Sequence, residues 1–356
     1  MIAAVARLTD KIFGRGEAAV TVPPLDGALR PNQMLDEAGK RFALADVDCL
    51  SVADGKLLAS AGDTVFALDG RGKWKQRLQA EGQISCICTA GRGRLAVALA
   101  NGEILIDGER LGGARINCPI ALAEAGGVLY VASGSATNAP DDWQRDLLER
   151  NASGSLWRID VASGKAEQIA SGLAWPAGLA IDGNSIVVSE AWKHRLVRYD
   201  LANPGKPDVL YHDLPGYPGR ISRAATGWWL AVFAPRSQLV EFVLREPVYR
   251  KRMLDEVEPA FWVSPKLRSG SSFYEPLQGG GVKHLGVVKP WAPAMSAGLS
   301  VRLDEAFQPV ASLQSRADGS THGVTSVLEH DGQVYVAARG DGVVVRLPTS
   351  AGGRDR

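Results

Sequence analysis

Two charged residues, Asp48 and Arg220, head segments that are otherwise rich in apolar residues. A carboxylate or a guanidinium in such a setting is costly unless it is paired or meets a ligand. Two uses are open. The pair could face a ligand, with Arg220 offering its planar fork to a carboxylate or oxyanion. Alternatively it could be a structural ion pair that plugs the space between strands. His322, in Thr321-His322-Gly323, adds an imidazole of near-neutral pKa, the kind of group that serves as a general base. A catalytic reading therefore places Arg220 on a polarised carbonyl, with Asp48 and His322 moving protons. The ligand-binding set comprises Arg220, Asn117, Thr325, Tyr217 and Trp175.

Other titratable residues read as scaffold. Glu190 suits packing or backbone hydrogen bonding, His194 reads as structural, His330 neighbours the tight Asp331-Gly332 turn, and His212 and His284 carry no pattern. Cys86 and Cys88 share a strand face, with Cys118 one repeat further on. The Cys-x2-Cys spacing of a zinc site is absent, so Cys49, Cys86, Cys88 and Cys118 read as buried small hydrophobes. There is no Gly-x-Ser-x-Gly elbow, His-Glu-x-x-His pair or Walker loop. The basic run Arg250-Lys251-Arg252 is followed by Asp255, Glu256 and Glu258, the pattern of a solvated helix surface.

The elements that must hold these residues recur along the chain. DCLSVADGKLLAS (48–60), SCICTAGRGRLAVA (85–98), IALAEAGGVLYVA (120–132), AGLAIDGNSIVVS (177–189), RISRAATGWWLAV (220–232) and TSVLEHDGQVYVA (325–337) each read as strand, turn, strand. Alternating runs joined by Asp-Gly or Gly-Gly are hairpin signals, and repeats near 40 residues suggest four-stranded propeller blades. Third strands follow at 64–69, 103–108, 154–160, 194–200, 237–244 and 342–347. The prediction is an all-β, six-bladed β-propeller, a closed ring that leaves few sheet edges. Residues 35–45 could supply the strand that closes the last blade.

Uneven spacing locates two insertions. Residues 133–153 carry a helical stretch around 141–150. Residues 245–297 form a cap insertion that opens on a short helix, after which 298–314 supplies the outer hairpin of blade five. Both could cover one mouth of the channel, and the tryptophans and tyrosine of 262–291 favour an ordered cap. The division expected is an N-terminal extension (1–34), one propeller (35–348) and a C-terminal tail (349–356). Ligands of such a ring bind where the innermost strands converge, and those strands are expected to begin at Asp48, Cys86, Ile120, Ala177, Arg220 and Thr325.

The segments LAWPAGLAIDGNSIVVSEAWKHRLVRYDL and LPGYPGRISRAATGWWLAVF carry a resemblance. Trp175-Pro176-Ala177-Gly178, Ser189-Glu190-Ala191 with His194-Arg195, and Pro215-Gly216-Tyr217-Pro218-Gly219-Arg220 resemble the strictosidine synthase-like family. That family belongs to a six-bladed superfamily with paraoxonases and gluconolactonases. The resemblance is strong over about 150–350, and TSVLEHDGQVYVAA resembles the family's last blade. It implies the fold directly. It also implies that the calcium-liganding positions of relatives fall on Ala177, Gly219 and Arg220, which cannot ligate calcium, so no metal and no cofactor is expected. Asp46, Asp48 and Asn117 do not compensate. The catalytic glutamate of the plant condensing enzyme aligns with Thr325, which cannot act as its base, so strictosidine synthase activity itself is not expected.

Composition bounds the remainder. With 46% hydrophobic and 22% charged residues the chain can bury a sizeable core. A net charge of +1 excludes the dominant basic field of a nucleic-acid or anionic-membrane binder. Forty of 356 residues are glycine, in keeping with many tight turns. No stretch is long and apolar enough to span a membrane, and the N-terminus lacks a signal peptide's basic start and long apolar core. A cytoplasmic location is therefore expected. The expected function is a metal-independent hydrolase of small esters or lactones acting at the central channel. The alternative is a non-catalytic propeller that binds a small acidic ligand or a partner in the same tunnel.

Overall fold

A computed structural model describes residues 22–91, 93–112, 115–270, 275–276 and 295–352. Six four-stranded antiparallel sheets form the blades of a β-propeller. The innermost strands are Val47–Ala53, Ile84–Ala90, Pro119–Ala125, Pro176–Asp182, Gly216–Arg223 and Val324–His330. Each packs against the next, and the first meets the sixth, so the ring closes.

The hairpins follow from turn chemistry. Asp54-Gly55 and Asp331-Gly332 hold both turn residues at positive φ (50° and 67°, 48° and 67°), the geometry a two-residue hairpin of right-twisted strands requires. Strand Lys40–Ala43 closes the last blade by pairing with Val343–Pro348, with Lys40 opposite Arg346 and Ala43 opposite Val343. This lies within the 35–45 segment expected to do so. Buried Val, Leu, Ile and Ala of adjacent blades fill the space between sheets, as Val97, Leu129, Val188, Leu230 and Val336 illustrate.

One expected strand is a helix. Residues 237–244 are not the third strand of blade five. Gln238–Val243 is helical, capped by the Ser237 hydroxyl, which accepts the Val240 N–H. Its apolar residues Leu239, Val240 and Val243 follow helical rather than alternating spacing. Blade five is instead completed by Gly298–Leu303 and Pro309–Ser315, the expected outer hairpin.

The two insertions meet on one rim. The first contains helix Trp143–Leu148 and the second contains helix Pro247–Glu256. The latter shows the solvated face expected of its charge run, with Lys251–Asp255 and Arg252–Glu256 pairs one turn apart. Leu148, Val243, Met253 and Trp262 form a shared apolar cluster, and the Gln144 amide donates to Ser264 Oγ and Pro265 O across the junction. Part of the expected cap (271–274 and 277–294, with Tyr274, His284 and Trp291) lies outside the described residues, as do 1–21 of the extension and 353–356 of the tail. Among the described residues no helix is long and apolar enough to cross a membrane.

Candidate functional site

Every innermost strand breaks register near its start: at Val47/Leu50, Ile84/Cys86, Pro119/Ala121, Pro176/Gly178, Pro218/Ile221 and Val324/Ser326. A bulge leaves a residue unpaired and re-aims it. Here the skipped residues include Asp48, Ser85, Ile120, Ala177, Gly219, Arg220 and Thr325, and all of these line one pocket of about 90 Å³ at the channel mouth. Five of the six expected axial positions are therefore correct. In blade two the axial residue is Ser85, not Cys86, because the bulge shifts the in–out alternation by one. Cys86 is fully buried.

At the pocket floor Arg220 and Asp48 form a bidentate pair: Nη1 donates to Oδ1 at 3.1 Å and Nη2 to Oδ2 at 2.7 Å. Both side chains are largely enclosed, at 16% and 13% exposure. The guanidinium also donates to Thr325 O (3.2 Å), Ser85 O (2.7 Å), Ile120 O (3.4 Å) and Asp48 O (3.4 Å). One side chain of blade five thus ties together carbonyls of blades one, two, three and six. Its Nε is buried and has no hydrogen-bond partner among the described residues. Burial would raise the Asp48 pKa, but Arg220 and then Arg339 outweigh it and hold the carboxyl below its ordinary 3.8. Between the two uses open to this pair, the geometry is that of the axial ion pair. The fork expected to hold a ligand oxygen is already occupied.

Arg339 is the second cation of the site, and sequence reasoning missed it. It stands on the short 3-10 turn Arg339–Asp341 after the second strand of blade six. Its Nη1 lies 4.0 Å from Asp48 Oδ1 and its Nη2 lies 3.1 Å from Asp141 Oδ1, with 28% of the side chain exposed. Asp141, from the first insertion, also accepts from Gln83 Nε2 at 2.8 Å, so it straps that insertion to blades two and six. The walls are apolar: Ile84, Trp143, Trp175, Phe233 and Leu267 among them. Trp143 meets Phe233 edge-on (centroids 5.5 Å apart), and Trp175 stacks on Trp192 at 5.3 Å.

The expected site residues divide. Asp48, Arg220, Thr325 and Trp175 converge on the pocket. The Thr325 hydroxyl donates to Asp48 O (2.7 Å) and so fixes the floor. Asn117, Tyr217 and His322 do not line the pocket. Asn117 donates to Ser135 O from the loop before the left-handed Cys118. Tyr217 is fully buried, 4.7 Å from the His194 ring and 6.0 Å from Phe233. His322 is 1% exposed: Nε2 donates to Arg316 O (2.6 Å), Nδ1 meets Ser296 Oγ (2.9 Å), and its backbone N–H donates to Asp341. It anchors the end of the second insertion to blade six and is not placed to take a substrate proton.

Burial holds the His322 pKa below 6.5. A lowered folded value means that the unfolded chain takes up a proton first on acidification. The stability linked to His322 is complete above the ordinary value and drains as pH falls towards the lower folded one. Wild type should lose thermal stability between about pH 7.5 and about pH 5.5, and His322→Asn should lose much less over that range. Equal slopes in thermal melts of the two proteins would contradict this.

Glu190, His194 and the cysteines belong to the scaffold, as expected. Glu190, 1% exposed, accepts from Ala174 N, Lys193 Nζ and Arg195 Nε. His194 bridges Gly216 O and Glu241. The four thiols lie in or against the core, and burial pushes each pKa up, to about 12 for Cys118. No cluster of potential metal ligands occurs among the described residues.

Comparison with known proteins agrees with this fold. Residues 119–204, which span blade three and the first three strands of blade four, match the family model described as strictosidine synthase. The chain is a six-bladed propeller that is similar to the strictosidine synthase family over these residues. The model match begins earlier and ends sooner than the 150–350 stretch over which the resemblance was strongest. Adipocyte plasma membrane-associated protein of Salmo salar is 24% identical over 274 residues, covering 65% of this chain and 66% of that protein. The match thus spans just under two thirds of that relative's length. A gluconolactonase from Xanthomonas campestris superposes with a TM-score of 0.54 at 13% identity, covering 93% of this chain and 96% of that one. A luciferin-regenerating enzyme superposes with a TM-score of 0.51 at 16% identity, with 84% and 86% covered. At these identities the superpositions establish the fold. The calcium that the resemblance implies for relatives does not fit the residues at this axis: the Arg220 guanidinium already fills the ring of axial carbonyls, and Ala177 and Gly219 offer no side-chain oxygen.

Proposed function

We propose that the protein is a hydrolase of small esters or lactones that works without a metal at the channel-mouth pocket. The observation that carries this reading is a pocket with a mostly apolar wall, including Trp143, Trp175 and Phe233, set on a floor of fixed charges. An ester or lactone has the matching shape, an apolar body with one polarised carbonyl. Arg339, partly exposed beside Asp48, is the donor for that carbonyl oxygen as negative charge develops on it. Asp48, held ionised, accepts a hydrogen bond from the attacking water. Arg220 positions Asp48 and takes no direct part. Two proteins of similar fold, a gluconolactonase and a luciferin-regenerating enzyme, are compatible with this chemistry.

A second reading, a binding propeller without turnover, is favoured by a specific observation. The Nη donors of Arg220 are directed at protein acceptors, and the Asp48 pKa is pushed down, away from that of an efficient base. A panel of aryl esters and γ- and δ-lactones, assayed with chelator present, separates the two. Hydrolysis that survives chelation and falls about 100-fold in Arg339→Ala supports the first. Thermal stabilisation by panel compounds without turnover, lost in Arg339→Ala, supports the second. Activity abolished by chelator would sink the metal-free mechanism.

A further inference from the structure

We propose that the propeller axis is a cation site whose permanent occupant is the chain's own Arg220 guanidinium. Carbonyls of Asp48, Ser85, Ile120 and Thr325 converge on its two Nη atoms from four blades, and both oxygens of the Asp48 carboxylate close the set. Those are six oxygens directed at one delocalised positive charge. The same bulges that re-aim the axial residues present these carbonyls. Without the guanidinium the oxygens would face one another, an arrangement that needs positive charge to persist. An all-oxygen set with one carboxylate suits a hard divalent cation.

The guanidinium is a particular kind of occupant. It is planar and cannot lose its proton in a protein, and it is covalently tethered, so neither dilution nor a chelator removes it. Four of its five N–H donors are on Nη1 and Nη2 and point into the oxygen set. The fifth, on Nε, is the one left without a partner. The site therefore matches the charge and the Nη fork rather than the whole side chain. A free guanidinium ion or a small hard cation would satisfy the same oxygens.

This inference is independent of the hydrolase reading, since it is read by stability and metal binding rather than turnover. Wild type should melt at the same temperature in chelator and in about 5 mM calcium, and should retain no stoichiometric calcium on equilibrium dialysis. Arg220→Ala should be strongly destabilised in chelator and regain roughly 5 °C or more with calcium or with about 10 mM methylguanidinium. If that variant does not fold in chelator, its refolding yield with and without calcium gives the same reading. Arg220→Lys keeps the charge and should fold and stay insensitive to calcium. A wild-type midpoint that drops on chelation overturns the proposal. So does an Arg220→Ala variant indifferent to both cations, or a Lys variant stabilised by calcium.

Discussion

Asp48→Asn should cost about 3–5 kcal/mol, because it leaves an enclosed guanidinium without its counter-charge, which for a chain of this size lowers Tm by roughly 4–7 °C. The burden falls on Arg220 first, whose two strongest charge-assisted bonds go to the carboxylate, and then on Arg339, 4.0 Å away. The four carbonyls remain as acceptors but supply dipoles, not a charge. A double variant, Asp48→Leu with Arg220→Met, removes both charges but leaves the four axial carbonyls without their donor, so it should recover less than half of the loss. The pH dependence has a definite sign. Asp48 is held below 3.8 in the fold, so its contribution is complete above that value and is lost as pH falls through the lower folded one. The gap between wild type and Asp48→Asn should stay flat from about pH 5 to pH 8 and close only in stronger acid. It is thereby distinguishable from the His322 effect, which falls near neutrality. An Asp48→Asn protein that melts within about 1 °C of wild type would mean that the carbonyl ring alone holds Arg220.

The same physics explains what the sequence could and could not reveal. Six hairpin copies with Asp-Gly turns were legible because turn chemistry and alternation are local, and the heads of five axial strands followed from aligning them. What alternation alone could not resolve was parity. A bulge exchanges inward for outward between one residue and the next, so Ser85 replaces Cys86 at the axis. Next to left-handed residues the chain also turns: Asn117 precedes Cys118 (φ 47°) and His322 precedes Gly323 (φ 65°), and neither lines the pocket. Arg339 was recoverable in principle. Blades four and six each follow their second strand with a 3-10 turn ending on a left-handed residue, Ala191–Lys193 before His194 and Arg339–Asp341 before Gly342. Aligning those turns sets Arg339 against Ala191 and marks it as an unusual charge on the rim. Asp141 lies in an insertion with no counterpart in the other blades, so no repeat could have located it.

Gly178→Ala should be the most disruptive single methyl group that can be added near the site. Gly178 lies in the innermost strand of blade four, where a Cβ would run into Gly219 O and come within 2.8 Å of Arg220 Cα. Its φ is not left-handed, so the difficulty is space alone. The obstructing atoms are backbone, and they are fixed: Ser189 Oγ donates to Gly219 O at 2.6 Å, and Arg220 is held by its own ring of acceptors. The innermost strands of blades four and five must move apart or the Arg220 bulge must shift. The expected cost is about 3 kcal/mol, the upper end of ordinary overpacking. Gly82→Ala is the control, because a Cβ there meets nothing within 4 Å, and it should change stability by less than about 0.5 kcal/mol. Adding Ser189→Ala to Gly178→Ala should not restore the protein, since it removes a side-chain contact and leaves both backbone contacts in place. Loss of ligand or substrate response beyond the loss of stability would show that the blade four–five contact sets the position of Arg220. A Gly178→Ala protein as stable as the Gly82→Ala control would show that the strands yield freely, and that the carbonyl ring rather than this contact fixes the axial pair.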